Sequence, residues 1–236
     1  MAWRPFAVSQ FGTRMQTFDD VVRARRSVRG FRPDRPVAPT LLHEALAVAQ
    51  LSPSNCNVQP WRVYLASGGA CERLRTALLA AIDRGDEPMP EDPIDAFPGD
   101  YRHRQIDCAR TLYAAMGIAR ADASGRARAM RRNYQLFDAP HVAIVGMNGS
   151  FGVGVALDIG IYVQTLMLAL TARGVASCPQ ASLRNYPAVV RRTLEIPDDL
   201  RILCGISIGY EDTSVPANAA HPARVPLDAS VVLRND

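Results

Sequence analysis

Residues 155–174 read VALDIGIYVQTLMLALTARG. Apolar side chains occupy nearly every position around a 3.6-residue period, and Gly174 stands where a helix stop belongs. A helix without a polar face has to be covered on every side. Its length also suits a membrane span, but Asp158, Gln164, Thr165 and Thr171 interrupt it and no second such run exists. The spacing therefore predicts a buried helix at the centre of a domain or of a dimer.

The rest of the chain supports a globular reading. With 236 residues, 48% of them hydrophobic, it can bury a substantial core as one domain, taken as residues 1–236. All 27 basic residues are arginine, and the net charge is +4. Any cationic role here falls to a guanidinium, which suits phosphates and planar acceptors. The five cysteines (56, 71, 108, 178 and 204) are odd in number, widely spaced and form no C-x-x-C pair. That pattern argues against a disulfide framework or a zinc site and for a reducing compartment. MAWRPFAVSQFGTR at the start lacks the apolar centre of a signal peptide, so a cytoplasmic location is expected.

Thr17 followed by Asp19 and Asp20 opens a short helix, TFDDVVRARRS. A second helix begins near Thr40 and ends at SPSN. WRVYLA, HVAIVGM and RILCGISIGY read as strands, the last two apolar enough to be central. GGACERLRTALLAAIDRG reads as an amphipathic helix. Residues 85–105 are too rich in Pro, Asp and Gly to be regular; helical text returns over 106–133, with a break near 122–125. From Glu211 to the end an extended tail is expected.

Three familiar patterns fail. GISIG matches G-x-S-x-G, but Ser207 lies inside a β-like run, where a hydrolase elbow needs a sharp strand-to-helix turn. GMNGSFGVG lacks dinucleotide-fingerprint spacing. RADASGRARAMRRN carries five arginines but no interleaved aromatics, so a solvated helix is the better reading than a nucleic-acid contact. The four histidines make no metal-ligand spacing, and no metal site is expected.

Other stretches make sense together. RARRSVRGF places four arginines and a serine within seven residues, of which Arg25, Arg26, Ser27 and Arg29 could grip a phosphate and leave one cation over. LSPSNCNVQPW is far more polar than a surface turn requires. PQASLRNYP and PARVPL follow later in the chain. In RRSVRGF, SPSNCNVQPW, DAPH and RVPL, occurring in that order over residues 17–232, the sequence resembles the FMN-dependent nitroreductase family.

The resemblance implies an α+β fold with a mixed central β-sheet flanked by helices, in an intertwined homodimer whose core holds the 155–173 helix. It implies that Arg25, Ser27 and Arg224 hold the FMN phosphate, with Arg26 beside them. Relatives carry a further basic residue just before Arg224, where this chain has His221 or Pro222. Arg29 would face the N1/O2 edge of the flavin, where a preorganised cation shielded from water contributes roughly 3–4 kcal/mol. Pro53, Ser54, Asn55 and Asn57 would reach the cofactor of the other subunit. Pro179 and Gln180 would pack along the ring, with the backbone N–H of Ala181 or Ser182 at N5; an acidic residue common near Ala181 is absent. Arg132 and Gln135 match ring-edge contacts. No side-chain nucleophile is implied. NADH or NADPH would reduce the flavin, and a nitroaromatic or quinone-like acceptor would then be reduced in the same pocket, giving ping-pong kinetics. The 85–133 excursion would cover that pocket and set substrate choice, with Tyr101 or Tyr113 near the ligand. Neither nucleic acid nor membrane is expected as a partner. The alternatives are a biosynthetic oxidation or a reductive dehalogenation on the same fold, and, from another class, an arginine-rich nucleic-acid-binding protein.

Overall fold

Two apolar layers sandwich a four-stranded sheet. The computed structural model describes residues 17–94 and 96–235; the amino-terminal stretch read above for a signal peptide lies outside them. The strands are β1 (Arg62–Ser67), β2 (His141–Asn148), β3 (Ala176–Gln180) and β4 (Leu200–Gly209), in the spatial order β1-β2-β4-β3. The two runs read as central strands are central. Every pairing among the four is antiparallel, and among the described residues parallel pairing is confined to the Ser27–Ser177 bridge, so little of the expected mixed character lies in the sheet itself.

Alternation along β2 explains the two layers. Ala143, Val145 and Met147 face one side, packing with α2 (Pro39–Ala49) and α6 (Val153–Thr171). Val142 and Ile144 face the other, with α3 (Gly69–Asp83) and α7 (Pro187–Leu194). The register between β2 and β4 skips Leu203 next to Gly146, a bulge that adds local twist. Trp61 stacks on Tyr162 of α6 at 4.9 Å and donates from its indole N–H to Gln50 Oε1. Ser207, the serine of GISIG, is fully buried within β4 and donates to Gln180 Oε1, so it is not presented on an exposed strand-to-helix elbow.

Helix α1 (Phe18–Ala24) starts as the sequence indicates: Thr17 and Asp20 cap each other's backbone N–H groups. The excursion is more helical than expected. Irregular chain ends at Pro98, and α4 (Gly99–Ala115) begins there although none of its residues is fully buried. The break falls at residues 116–122 and not over 122–125, because Asp122 is not a breaker but the cap of α5 (Ala123–Tyr134), accepting from the Gly125 N–H at 2.7 Å.

Of the two places expected for helix α6, the centre of its own domain is not the one it takes. Ile159, Tyr162, Leu166 and Leu170 are buried, but the opposite stripe is open, with Val153 89% and Leu157 68% exposed and Gly160 and Gln164 beside them. Within one chain the helix is covered on one side only. Beyond β4, Phe31 bridges Glu211, Pro216–Ala219 forms a single 3-10 turn, and residues 221–235 are mostly exposed.

Candidate active site

The arginine motif leaves α1 at Arg25 and runs along the end of β3, where the Val28 N–H donates to Ser177 O at 3.1 Å. The segment after β4 locks it from the other side. Asn218, buried, accepts the Arg29 N–H on Oδ1 at 2.7 Å and donates from Nδ2 to Gly30 O at 2.9 Å and Asp212 O at 2.8 Å. Gly30 lies so close to Val215 that a Cβ there would stand 2.5 Å from the valine's own Cβ. Glycine is required at that contact.

Two adjoining hollows result. One is a cleft of about 530 Å³ whose walls include Arg25, Arg26, Ser27, Arg29 and Arg224, with Gln164 of α6 and His221. Among the described residues no carboxylate lines it. Arg26 is committed elsewhere, to Glu211 and to Asn218 O, so it serves the fold more than an open anion site. Among the described residues Arg25, Arg29 and Arg224 have no acidic partner. Burial first, then the neighbouring Arg224, holds the Arg25 guanidinium below its usual pKa. Like charges brought together in a partly buried cleft call for an anion between them. The Ser177 hydroxyl, opposite Ser27, is buried and has no hydrogen-bond partner among the described residues. Cys178 lies beneath, its thiol pushed up to about 11 by burial despite the arginines above, and so it stays protonated.

The second hollow, about 160 Å³, shares Arg29 with the first. Its walls are mainly apolar: Leu112 and Tyr113 from α4, Met116 just past its end, Met130 from α5, Phe137, and Val215 from the tail. Arg132 and Asn133 complete it. Leu136, Phe137 and Asp138 all lie in the left-handed region (φ 55°, 53° and 65°), costing about 1 kcal/mol or more each, and that turn sets Phe137 into the wall.

Other expected residues lie apart. Tyr101 is 61% exposed under the Arg104 guanidinium and lines neither hollow; Tyr113 does. The Gln180 side chain is buried between Ser207 and Asn133 O, leaving only its backbone at the strand end. Pro179 precedes Gln180 within β3, and Ala181 and Ser182 continue from that end, with Ser182 hydrogen-bonded to Asn133. Gln135 lines an outer cleft with Arg132 and not the inner hollow. Pro53, Asn55 and Asn57 are exposed and Ser54 half-buried, on a loop tied to α6 by the Asn55 N–H to Asp158 Oδ2 bond at 3.1 Å. Asp158 and Gln164 are six positions apart, about 9 Å along the helix axis. Within one chain this loop does not enter the arginine cleft.

Sequence reasoning missed Gln164 as a wall residue, although it was visible as the lone amide in the apolar run. It missed Asn218, whose partners lie nearly the whole chain away.

Residues 22–210 match the model of the nitroreductase family. The chain is 38% identical over 216 residues to the nitroreductase NfnB of Mycolicibacterium smegmatis, covering 90% of each. It is 34% identical to a 4-nitrobenzoate reductase of Pseudomonas putida, covering 88% of this chain and 91% of the relative. The crystal structure of an FMN and NADPH-dependent nitroreductase NfnB from sphigopyxis sp. strain HMH superposes with a TM-score of 0.90 at 33% identity, covering 94% of this chain and all of the other.

Proposed function

This chain belongs to the nitroreductase family, and we propose that it is an FMN-dependent oxidoreductase using NAD(P)H to reduce nitroaromatic or quinone-like acceptors. The observation that carries this reading is the arginine-lined cleft opening, at Arg29, onto an apolar hollow. That is the shape of a phosphate-bearing group joined to a flat ring. Bound FMN supplies the two-electron chemistry between donor and acceptor.

The residues divide the task. Arg25, Ser27 and Arg224 hold the phosphate, with His221 taking the place of a second basic residue. Arg29, its backbone fixed by Asn218, presents a guanidinium where negative charge develops on the reduced ring. The hollow walled by α4 and α5 excludes water and receives donor and acceptor in turn, which gives ping-pong kinetics. The open apolar stripe of α6 supports an intertwined homodimer, in which the 53–57 loop of a second copy completes the cofactor site. Five unpaired thiols support a reducing, cytoplasmic setting.

The test is the visible spectrum of the purified protein before and after anaerobic NADPH or NADH. A yellow protein that bleaches is expected. One that stays colourless after FMN is added overturns the reading.

A further inference from the structure

Among the described residues the inner hollow is lined by two guanidinium groups and no carboxylate. In the function proposed above, on which this inference rests, Arg29 is engaged by the flavin. Arg132 is then the remaining cation on the acceptor's wall. Its tether is uneven: Asp138 takes Nη1 with both oxygens, at 2.9 and 2.8 Å, and the only other contact, to Gln135 Oε1 at 3.4 Å, again uses Nη1. Among the described residues Nε and Nη2 donate to nothing, although the side chain is only 27% exposed. An arginine held by one nitrogen is fixed in place while its two-nitrogen edge, the one that pairs with a carboxylate in a parallel fork, stays free. The surroundings (Leu112, Tyr113, Met116, Met130 and Phe137) suit an aromatic ring attached to that carboxylate.

We infer that Arg132 selects among acceptors, binding the carboxylate of an anionic nitroaromatic and favouring it over uncharged nitroaromatics. Asp138 and the left-handed turn that carries it position Arg132 for this role. The anionic phosphates of the nicotinamide donor are the other source of negative charge at the site, so the two half-reactions must be measured apart.

The experiment uses flavin-loaded enzyme reduced anaerobically by light, then mixed in a stopped-flow instrument with 4-nitrobenzoate or with 4-nitrobenzamide, its uncharged isostere. The ratio of the two second-order reoxidation constants is compared between wild type, Arg132→Gln and Arg132→Lys. The Gln variant should lower the carboxylate-to-amide ratio about tenfold to a hundredfold, as expected for loss of a charge-assisted bidentate contact, with Lys in between. An unchanged ratio overturns the inference. So does a defect confined to reduction by NADPH, which would assign Arg132 to the donor. Should the Gln variant fail to fold, wild type at low and high salt decides. A decline specific to the carboxylate supports the assignment, and equal declines sink it. A protein that never binds flavin gives no reoxidation signal at all, which separates failure of the broader reading from failure of this one.

Discussion

The Arg29 N–H donates to Asn218 Oδ1 across 2.7 Å, joining two segments 189 positions apart. The Asn218 amide also donates to Gly30 O and Asp212 O, and its backbone carbonyl accepts from Arg26. One side chain thus ties the arginine motif to the start of the tail that carries Arg224. Asn218→Ala should cost about 1–3 kcal/mol, because it leaves buried backbone groups unpaired. It should weaken FMN binding as well, since Arg29 and the tail lose their common anchor. Asn218→Asp should fare no better, as it sets a carboxylate against two carbonyls. Urea unfolding of the apoprotein and fluorimetric flavin titration test this; unchanged values in both would show that the clasp is incidental.

Arg25 and Arg224 face each other across the cleft without an acid between them. Removing either should weaken FMN binding about tenfold to a hundredfold, the usual worth of a charge-assisted hydrogen bond. Riboflavin, which has no phosphate, should bind either variant as it binds wild type. The apoprotein should not be destabilised, because each substitution relieves a like-charge contact. Equal losses for FMN and riboflavin would move these arginines away from the phosphate.

How far the sequence alone reaches follows from the range of each interaction. Local signals were legible: the Thr17–Asp20 cap, the alternation of β2, and the arginines of RRSVRGF. The first two turns of α4, residues 99–105, were not, since the helix buries no residue fully and so shows no apolar stripe. Strand β3 was hidden by its brevity and by Pro179, which is tolerated there because β3 is an edge strand. Arg26 read as a phosphate ligand because its partner Glu211 lies 185 positions away. Tyr101 and Tyr113 looked equivalent, yet twelve residues along a helix turn them about 120° apart, so only one faces the hollow.

His141 carries the pH dependence of stability. Its Nε2 accepts the Val37 N–H at 2.9 Å, so the single ring proton sits on Nδ1, against Ser67 Oγ at 2.7 Å. Burial holds its pKa below the ordinary 6.5. Below that ordinary value the unfolded chain takes up a proton that the folded chain refuses. Stability contributed by the neutral ring is therefore complete above the unfolded pKa and declines as pH falls toward the folded one. Urea unfolding between about pH 5 and 7.5 should show stability rising with pH, and His141→Gln should flatten the slope. A slope of opposite sign would mean that the protonated ring is the one stabilised.

Asp158 is the one acid on the apolar α6, and it is spent on a single bond to the Asn55 N–H. That bond fastens a costly loop. Cys56, Asn57 and Gln59 sit at φ 49°, 55° and 50°, and such non-glycine residues in the left-handed region cost about 1 kcal/mol or more apiece. The Ser54 Oγ bond to the Gln59 N–H supplies the second fastening. Without Asp158 the loop should relax toward ordinary backbone angles and withdraw Asn55 and Asn57 from the cofactor site proposed for a second copy. Asp158→Ala is expected to raise amide exchange at residues 54–59 and to weaken FMN binding about tenfold, the equivalent of one such hydrogen bond. Asp158→Asn keeps an acceptor without the burial of a charge, so it should retain flavin and match wild type in stability. If exchange and affinity in the Ala variant equal those of wild type, packing alone holds the loop and the buried acid has another purpose.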